Sequence, residues 1–161
     1  MRRLSSHPAQ GGNSMLSWHR AKNPLIVSFN FLAISVSKIL PSLALKRSLL
    51  RLTGMKIGGD VSIGLGAMFD IFFPELITLG DNCTIGYNAT ILAHEFLLKE
   101  YRTGAVVIGK NALIGANSTI LAGIEIGDNA VVSACSLVNN DVSAGSFVGG
   151  VPARELRKEK E

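Results

Sequence analysis

Aliphatic side chains return at every sixth position through the middle of the chain. Six such positions follow one another with nothing inserted between them, namely Ile108, Ile114, Ile120, Ile126, Val132 and Val138. A period of six matches neither the 3.6-residue repeat of a helix face nor the two-residue alternation of a strand. It is typical of a hexapeptide β-helix, in which each repeat supplies one short strand and one corner and stacked coils bury a continuous core.

The residues between these aliphatic positions support the same interpretation. Glycine follows three of them, asparagine stands three positions later at residues 111, 117 and 129, and small residues stand four positions later. Asparagine and glycine tolerate the positive φ that a tight corner requires, and a small side chain fits beside an inward-pointing aliphatic one. The pattern therefore predicts a mainly β protein built as a solenoid.

The same period extends towards the N-terminus with two interruptions. Six further positions keep the register: Ile57, Ile63, Phe69, Leu79, Ile85 and Ile91. Four extra residues before Leu79 predict a bulge or small loop around Phe72-Phe73-Pro74. Five extra residues before Ile108 predict a projecting loop from about Leu98 to Ala105, and His94 lies just before this loop.

The period divides the chain into three predicted parts. Residues 56–150 form the β-helix domain, residues 1–55 form an N-terminal basic arm with an apolar helical segment, and residues 151–161 form a charged tail. Pro152 and the glycines before it break the repeat, so we expect the tail to be helical if it is ordered.

Within the N-terminal part we expect a poorly ordered arm over residues 1–22, with one turn around Trp18, followed by two helices. Pro24 suits the first position of a helix ending near Leu40, and a basic helix is expected over 42–52. The uncharged run at 23–37 is shorter than the about 20 residues that span a membrane, and its position does not suit a secretory signal. The helices either cap the open end of the solenoid or lie on a membrane surface.

Charge is distributed unevenly between the two ends of the chain. Residues 1–59 contain nine Lys or Arg and no acid, whereas the remainder holds seven basic and twelve acidic residues. This asymmetry indicates either an anionic partner, such as a membrane surface, nucleic acid or phosphorylated ligand, or a basic helix packed on an acidic solenoid. Cys83 and Cys135 lie inside the repeats, and no CxxC or Cys/His spacing suggests zinc.

His94 is the candidate for catalysis that the residues themselves offer. It is the one histidine of the repeat region, and its place at a coil edge lets the ring reach a cleft. An imidazole titrates near neutral pH and suits a general base. A surface histidine without a function is the alternative that position alone leaves open.

Two motifs resemble the hexapeptide-repeat acetyltransferases, in particular the maltose and galactoside O-acetyltransferases and related bacterial proteins. One is Ile-Leu-Ala-His94 followed by a loop and the uninterrupted hexads, and the other is the exit motif Gly-Gly-Val-Pro-Ala-Arg154. The resemblance covers about residues 56–157. It implies a left-handed parallel β-helix, a homotrimer, and acetyl-CoA bound between neighbouring subunits, with no metal.

The resemblance also assigns roles to individual residues. It implies that His94 is the general base that removes a proton from an acceptor hydroxyl, which then attacks the thioester directly. Acidic groups near the bulge, Asp70 first and Glu75 second, are expected to bind the acceptor. The positions that match the family's acetyl-CoA site are Ala116, Ala134, Asn139, Asn140, Arg154 and Arg157. Asn140 replaces a frequent lysine, and Glu95 replaces the proline that commonly follows the histidine in sugar acetyltransferases.

The predicted function is acetyl transfer from acetyl-CoA to a hydroxyl of a sugar or glycan-type acceptor, in the cytoplasm and without a nucleic-acid partner. A γ-type carbonic anhydrase needs three zinc-binding histidines, which the repeat region lacks. A non-catalytic trimeric scaffold that docks to a membrane or a partner through its basic arm is the alternative of a different class. Under either interpretation the N-terminal arm is expected to allow peripheral contact with the inner face of the membrane.

Overall fold

The computed structural model describes residues 2–9 and 12–156. Twelve short strands, numbered in chain order, form three parallel sheets that enclose one core. Sheet 1 holds β2 (Lys56–Ile57), β5 (Ile77–Leu79), β10 (Val106–Ile108) and β13 (Glu125–Ile126). Sheet 2 holds β3 (Ser62–Ile63), β6 (Thr84–Ile85), β11 (Leu113–Ile114) and β14 (Val131–Val132). Sheet 3 holds β4 (Met68–Phe69), β7 (Thr90–Ile91), β12 (Thr119–Ile120) and β15 (Leu137–Val138).

Each coil passes through the three sheets in turn and pairs in register with the coils above and below. Ile63 stands opposite Ile85, and Ile114 stands between Ile85 and Val132. All twelve residues of the six-residue period are buried, and none exposes more than 8 % of its surface. The predicted parallel solenoid is therefore confirmed, because one aliphatic side chain per hexad fills its interior.

The chain turns at three corners per coil. Corner 1 joins sheet 1 to sheet 2, corner 2 joins sheet 2 to sheet 3, and corner 3 leads back to sheet 1. Asparagine occupies the left-handed conformation predicted for it, at φ between 55° and 58°, at corners 1 and 2. The Asn88 side-chain amide donates to Asn117 Oδ1 over 2.9 Å, and Asn82 donates to Asn111 in the same way. Stacked asparagines thus link successive coils.

Two helices close the N-terminal end of the solenoid, within one or two residues of their predicted bounds. They are α2 (Pro24–Ile39) and α3 (Leu43–Arg51), the second capped by Ser42, whose side chain accepts from Leu45 N. The basic residues of α3 face the first coil: Lys46 is buried and donates to the carbonyls of Ile63 and Gly64. Three of the nine basic residues before Asp60, Lys46, Arg47 and Arg51, therefore satisfy carbonyls of the first coil, which has no coil beyond it.

The N-terminal arm and the projecting loop differ from expectation. Residues 2–9 are not poorly ordered: strand β1 (Ser5–Pro8) pairs antiparallel with β9 (Glu100–Thr103), which pairs with β8 (His94–Phe96). The insertion is thus a hairpin that begins at His94 rather than a loop that begins at Leu98. Local patterns miss this small sheet because β1 meets its partner more than 90 residues along the chain. The turn expected around Trp18 is present as α1 (Trp18–Ala21), after a 3-10 helix at Ser14–Ser17.

The C-terminal tail also differs from expectation. The solenoid continues beyond Val138, since Val142 bridges to Ile126 and β16 (Phe147–Gly150) pairs parallel with β14. Strand β17 (Ala153–Glu155) then folds back antiparallel on β16, so these tail residues are extended and not helical. No helix among residues 2–9 and 12–156 has the length and apolarity needed to cross a bilayer.

Candidate active site

The two interruptions of the repeat meet at corner 3. Asp70 directly follows β4, and His94 comes three residues after the neighbouring strand β7, whose Ile91 stands opposite Phe69. Stacking of these coils brings His94 Nδ1 within 2.5 Å of Asp70 Oδ2. The bulge therefore supplies a carboxylate, and the hairpin supplies the imidazole that the carboxylate contacts.

The Asp70 carboxylate is fully enclosed by donors. Its Oδ1 accepts from the backbone N–H groups of Phe72 and Phe73, and its Oδ2 accepts from Ala93 N over 2.7 Å in addition to His94. Its side chain exposes no surface to solvent. Burial alone would raise the pKa of Asp70, but His94 and the backbone donors outweigh it and hold the pKa below its ordinary value.

An ionised Asp70 defines the state of the imidazole. A carboxylate only accepts hydrogen bonds, so Nδ1 of His94 must be the nitrogen that carries the proton. In the neutral ring Nε2 then holds the free lone pair, and it has no hydrogen-bond partner among the described residues. The arrangement matches what a general base requires, namely a fixed ring orientation and one basic nitrogen directed away from the carboxylate.

Aromatic rings surround His94. Its ring centroid lies 4.8 Å from those of both Phe72 and Phe96 and 5.8 Å from that of Phe73, while Trp18 contacts Phe72 edge-on at 5.7 Å. The His94 side chain keeps 13 % of its surface exposed. This aromatic cluster excludes most water from the base. Sequence reasoning missed it, although the rings flank both interruptions of the repeat.

The two acids predicted to bind the acceptor lie in different surroundings. Glu75 forms an ion pair with Lys22, which also sits over the Phe73 ring, 5.1 Å from its centroid. Asp70 suits the role of acceptor ligand poorly, because all its hydrogen bonds are directed to this chain. Its geometry instead favours orienting His94, so the structure brings together His94 and Asp70 but leaves Glu75 outside the aromatic cluster.

The residues matched to the acetyl-CoA site fall into two groups. Ala116 and Ala134 are stacked at corner 2, where Cys135 N donates to the Ala116 carbonyl. Asn139, Asn140 and Arg154 line an open depression of about 300 Å³ at the far end of the solenoid, near corner 3. A single chain does not bring the two groups together, and Arg157 lies outside the described residues.

Cation-binding groups do not gather around this site. Across residues 2–9 and 12–156, no three His, Cys, Asp or Glu side chains are close enough to hold a metal ion together. Cys83 is buried, and burial raises the pKa of its thiol to about 11. At neutral pH this thiol is therefore protonated and packed in the core.

Comparison with known proteins identifies the family. The family described as "Hexapeptide repeat of succinyl-transferase" matches residues 54–93 and 105–139. YvoF of Bacillus subtilis (strain 168), named as a candidate acetyltransferase, is 47% identical over 162 residues, covering 100% of this chain and 94% of YvoF. The region between the two matched segments contains the hairpin that carries His94.

Two solved structures share the fold. The hexapeptide-repeat acetyltransferase VCA0836 of Vibrio cholerae, complexed with acetyl coenzyme A, has a TM-score of 0.65 at 24% identity and covers 85% of this chain and 88% of its own. A maltose O-acetyltransferase of Clostridium difficile 630 has a TM-score of 0.64 at 22% identity and covers 86% and 90%. The fold expected from the resemblance, a left-handed parallel β-helix, is confirmed.

Proposed function

Because this chain belongs to the hexapeptide-repeat acetyltransferases, we propose that it transfers the acetyl group of acetyl-CoA to a hydroxyl of a sugar or glycan-type acceptor. The observation that carries the proposal is the contact between His94 and the buried Asp70 inside an aromatic enclosure. A general base needs this combination of fixed tautomer, fixed orientation and restricted water. The names of the relatives support the acetyl donor and the reaction class.

The reaction proceeds by direct transfer between two bound substrates. Nε2 of His94 takes the proton of the acceptor hydroxyl as its oxygen attacks the thioester carbonyl carbon. The tetrahedral intermediate then collapses, the C–S bond breaks, and the proton on His94 passes to the leaving thiolate, so that an ester and free coenzyme A result. Asp70 holds the imidazole in the required tautomer and stabilises the positive charge that develops on it.

Thiol release tests this proposal. Purified protein with acetyl-CoA and a panel of mono- and oligosaccharides should release coenzyme A only with suitable acceptors, and acetylated acceptor should appear in equal amount. In His94→Ala the turnover should fall by about 10²- to 10⁴-fold, while the affinity for acetyl-CoA stays unchanged. The native rate should fall as pH drops, because a protonated imidazole cannot accept the proton. Near-native turnover by His94→Ala with a good acceptor would disprove the assignment.

A homotrimer would unite the two groups of residues matched to the acetyl-CoA site. Corner 2 of one copy, with Ala116 and Ala134, would face corner 3 of the next, with His94, and acetyl-CoA would lie between them. We expect light scattering to give three times the mass of the chain. We also expect Ala116→Trp and His94→Ala, each inactive alone, to regain activity when unfolded together and refolded as mixed trimers. A monomeric mass, or mixed samples without activity, would contradict this assembly.

We further propose that the protein lies in the cytoplasm and contacts the inner face of the membrane. Helix α2 exposes large apolar side chains, including Leu25 at 79% and Leu32 at 63%, while its polar Asn30 is turned inwards and donates to the Ile71 carbonyl. Lys38 lies in the last turn of α2, and α2 itself has no acid, so an anionic surface is the complementary partner. Flotation with anionic vesicles should be salt-sensitive and should weaken in Leu25→Ser/Leu32→Ser. Equal flotation of both proteins would contradict membrane contact through α2.

A further inference from the structure

A small cavity lies next to the aromatic cluster, between the N-terminal strand, the first helix and the hairpin. Its volume is about 100 Å³, which leaves room for about three water molecules or for one carboxylate or phosphate group. Four of its lining side chains can donate hydrogen bonds: His7 on β1, Ser17, Arg20 on α1 and Tyr101 on β9. None of the described residues that line it is acidic.

The cavity opens on the same face of the small sheet as His94. Residues directly opposite one another in antiparallel strands project to one face, and the side alternates along each strand. In the observed register Thr103 stands opposite His94, and Tyr101 stands between Phe96 and His7. His94, Phe96, Tyr101 and His7 therefore share one face, whereas Arg102 lies on the other face with Glu95.

One layer of aromatic rings separates the cavity from His94. The centroid of the Phe73 ring lies 5.8 Å from that of His94 and 6.2 Å from that of Tyr101, on which it stacks. The Phe96 ring also lies between them, with its centroid 4.8 Å from that of His94 and 5.8 Å from that of Tyr101. Tyr101 in turn stacks on His7 at 4.7 Å. The cavity thus lies two ring-to-ring steps from the base, on the far side of this aromatic layer.

Electrostatics favour a negatively charged occupant. Arg20 carries a fixed positive charge, and its guanidinium offers five donors, so the interaction that it already makes leaves it able to bind an anion as well. The Tyr101 hydroxyl adds a neutral donor, whereas the Ser17 hydroxyl already donates to the Ser14 carbonyl and the His7 ring already contacts Thr103 Oγ1. Neither β1 nor α1 nor the residues between them contain an acid that would compete for these donors.

We propose that this cavity binds an anionic group of the acceptor, a carboxylate or a phosphate, while a hydroxyl of the same acceptor reaches His94 across the edge of the aromatic layer. The assignment rests on the proposed acetyl transfer and narrows its acceptor to acidic or phosphorylated saccharides. It also gives the N-terminal strand and α1 a task in substrate selection.

Direct binding tests the cavity without any need for turnover. Trp18 is the one tryptophan of the chain and stands two residues before Arg20. Titration with inorganic phosphate and with acetate, at constant ionic strength in chloride, should change its fluorescence and give heat of binding, with Kd on the order of 1–10 mM. Arg20→Gln should abolish saturation, whereas Arg102→Gln, which removes the same charge from the opposite face of the hairpin, should not. No saturable binding by either method, or equal binding by Arg20→Gln, overturns the proposal.

Matched acceptors then separate this proposal from the proposed function. Glucose, glucuronate and glucose 6-phosphate share one ring and differ in charge, and the two anionic sugars distinguish carboxylate from phosphate. We expect an anionic sugar to have a KM about 10-fold lower than glucose, and Arg20→Gln to remove this difference by raising the KM for the anionic sugar, whereas Arg102→Gln should keep it. His94-dependent acetylation of all three sugars with equal KM would overturn only the anion site. Absence of acetyl transfer to every acceptor, together with normal phosphate binding, would overturn only the proposed function.

Discussion

Corners 1 and 2 of the solenoid keep one backbone form from coil to coil, whereas corner 3 changes in almost every coil. At corners 1 and 2 a residue at φ near 56° recurs at the same place, and the asparagines among these residues stack. At corner 3 the chain forms a 3-10 helix at Pro74–Leu76 in one coil and the hairpin of β8 and β9 in the next. The three corners share one core, so the difference lies in what each corner contributes outside it.

The regular corners hold the coils together, and the irregular corner holds the proposed base. A repeated corner places its side chains and backbone N–H groups in the same position in every coil. Holding a carboxylate with four donors, as Asp70 is held, requires backbone N–H groups from residues outside the repeat, namely Phe72, Phe73 and Ala93. The insertions at corner 3 supply these donors because their backbone is released from pairing with the coils above and below.

The largest expected effect is the loss of activity on removing the Asp70 charge. In Asp70→Asn the amide can present its NH₂ group to Nδ1, which favours the tautomer with the proton on Nε2 and leaves no lone pair for the acceptor hydroxyl. We expect kcat to fall by about 10²-fold or more, with the KM for acetyl-CoA unchanged. Steady-state kinetics of thiol release measure both. An unchanged kcat would mean that corner 3 holds no oriented base.

The same variant gives a stability signature in acid. The pKa of Asp70 in the folded protein lies below its ordinary value of 3.8. The carboxylate therefore stabilises the fold above the unfolded pKa, and this contribution is lost as pH falls through the folded pKa. Urea unfolding should show that the free energy of unfolding of the native protein falls below about pH 4. In Asp70→Asn this fall should be smaller, because the variant has no carboxylate to protonate at this position. Parallel pH curves for the two proteins would exclude an ionised Asp70.

The regular part of the solenoid could be predicted from the sequence, whereas corner 3 could be predicted only in part. The structure of each regular hexad depends on its own residues, because Ile114 is buried in the core and Asn117 adopts the positive φ of the corner. The six-residue period therefore gives the strands, the buried positions and the two interruptions. At the N-terminal end, Pro24 and Ser42 mark the starts of the two helices for the same local reason.

Corner 3 could be predicted only in part because its contacts are distant in the sequence. His94 was found through its place before an insertion. The neighbourhood of Asp70 and His94 could have been inferred as well, since Phe69 and Ile91 occupy equivalent positions in adjacent coils. Pairing of Ser5 with Thr103, and with it the N-terminal wall of the site, has no local signal at all.

A substitution that forces the coils apart at a regular corner should lower stability. A Cβ added at Gly115 would lie 2.4 Å from Ala134 N, so the backbones of two coils would have to separate. We expect Gly115→Ala to lower the free energy of unfolding by about 3 kcal/mol. Gly59→Ala is the matched control, because a Cβ there meets only Asp81 Oδ1, at 4.0 Å. Equal midpoints of urea unfolding for the two variants would show that the coils are not tightly stacked.

Asn117 tests the conformational requirement of the same corner. Its φ is 57°, and its side chain accepts the hydrogen bond from Asn88. Asn117→Ala should cost about 1–2 kcal/mol, because alanine strains the left-handed conformation and the hydrogen bond is lost. Asn117→Gly loses the same hydrogen bond without the strain and should unfold at higher urea than the alanine variant. If the two variants unfold together, the positive φ is not what selects asparagine here.

The smallest expected effect is a gain in stability at the position where the stack of asparagines is interrupted. Cys135 follows Asn88 and Asn117 at corner 2, has φ 58°, and its N–H donates to the Ala116 carbonyl as its counterparts do in the coils before it. A thiol neither favours the left-handed conformation nor accepts a good hydrogen bond from Asn117. Cys135→Asn should therefore extend the stack and raise the free energy of unfolding by about 0.5–1 kcal/mol. Cys135→Ser is similar in size to cysteine but cannot extend the stack, so it should leave the free energy of unfolding nearly unchanged. Urea unfolding of the three proteins at one pH measures the difference. An asparagine variant no more stable than the serine variant would mean that the stack contributes nothing, and that backbone pairing alone holds the regular corners.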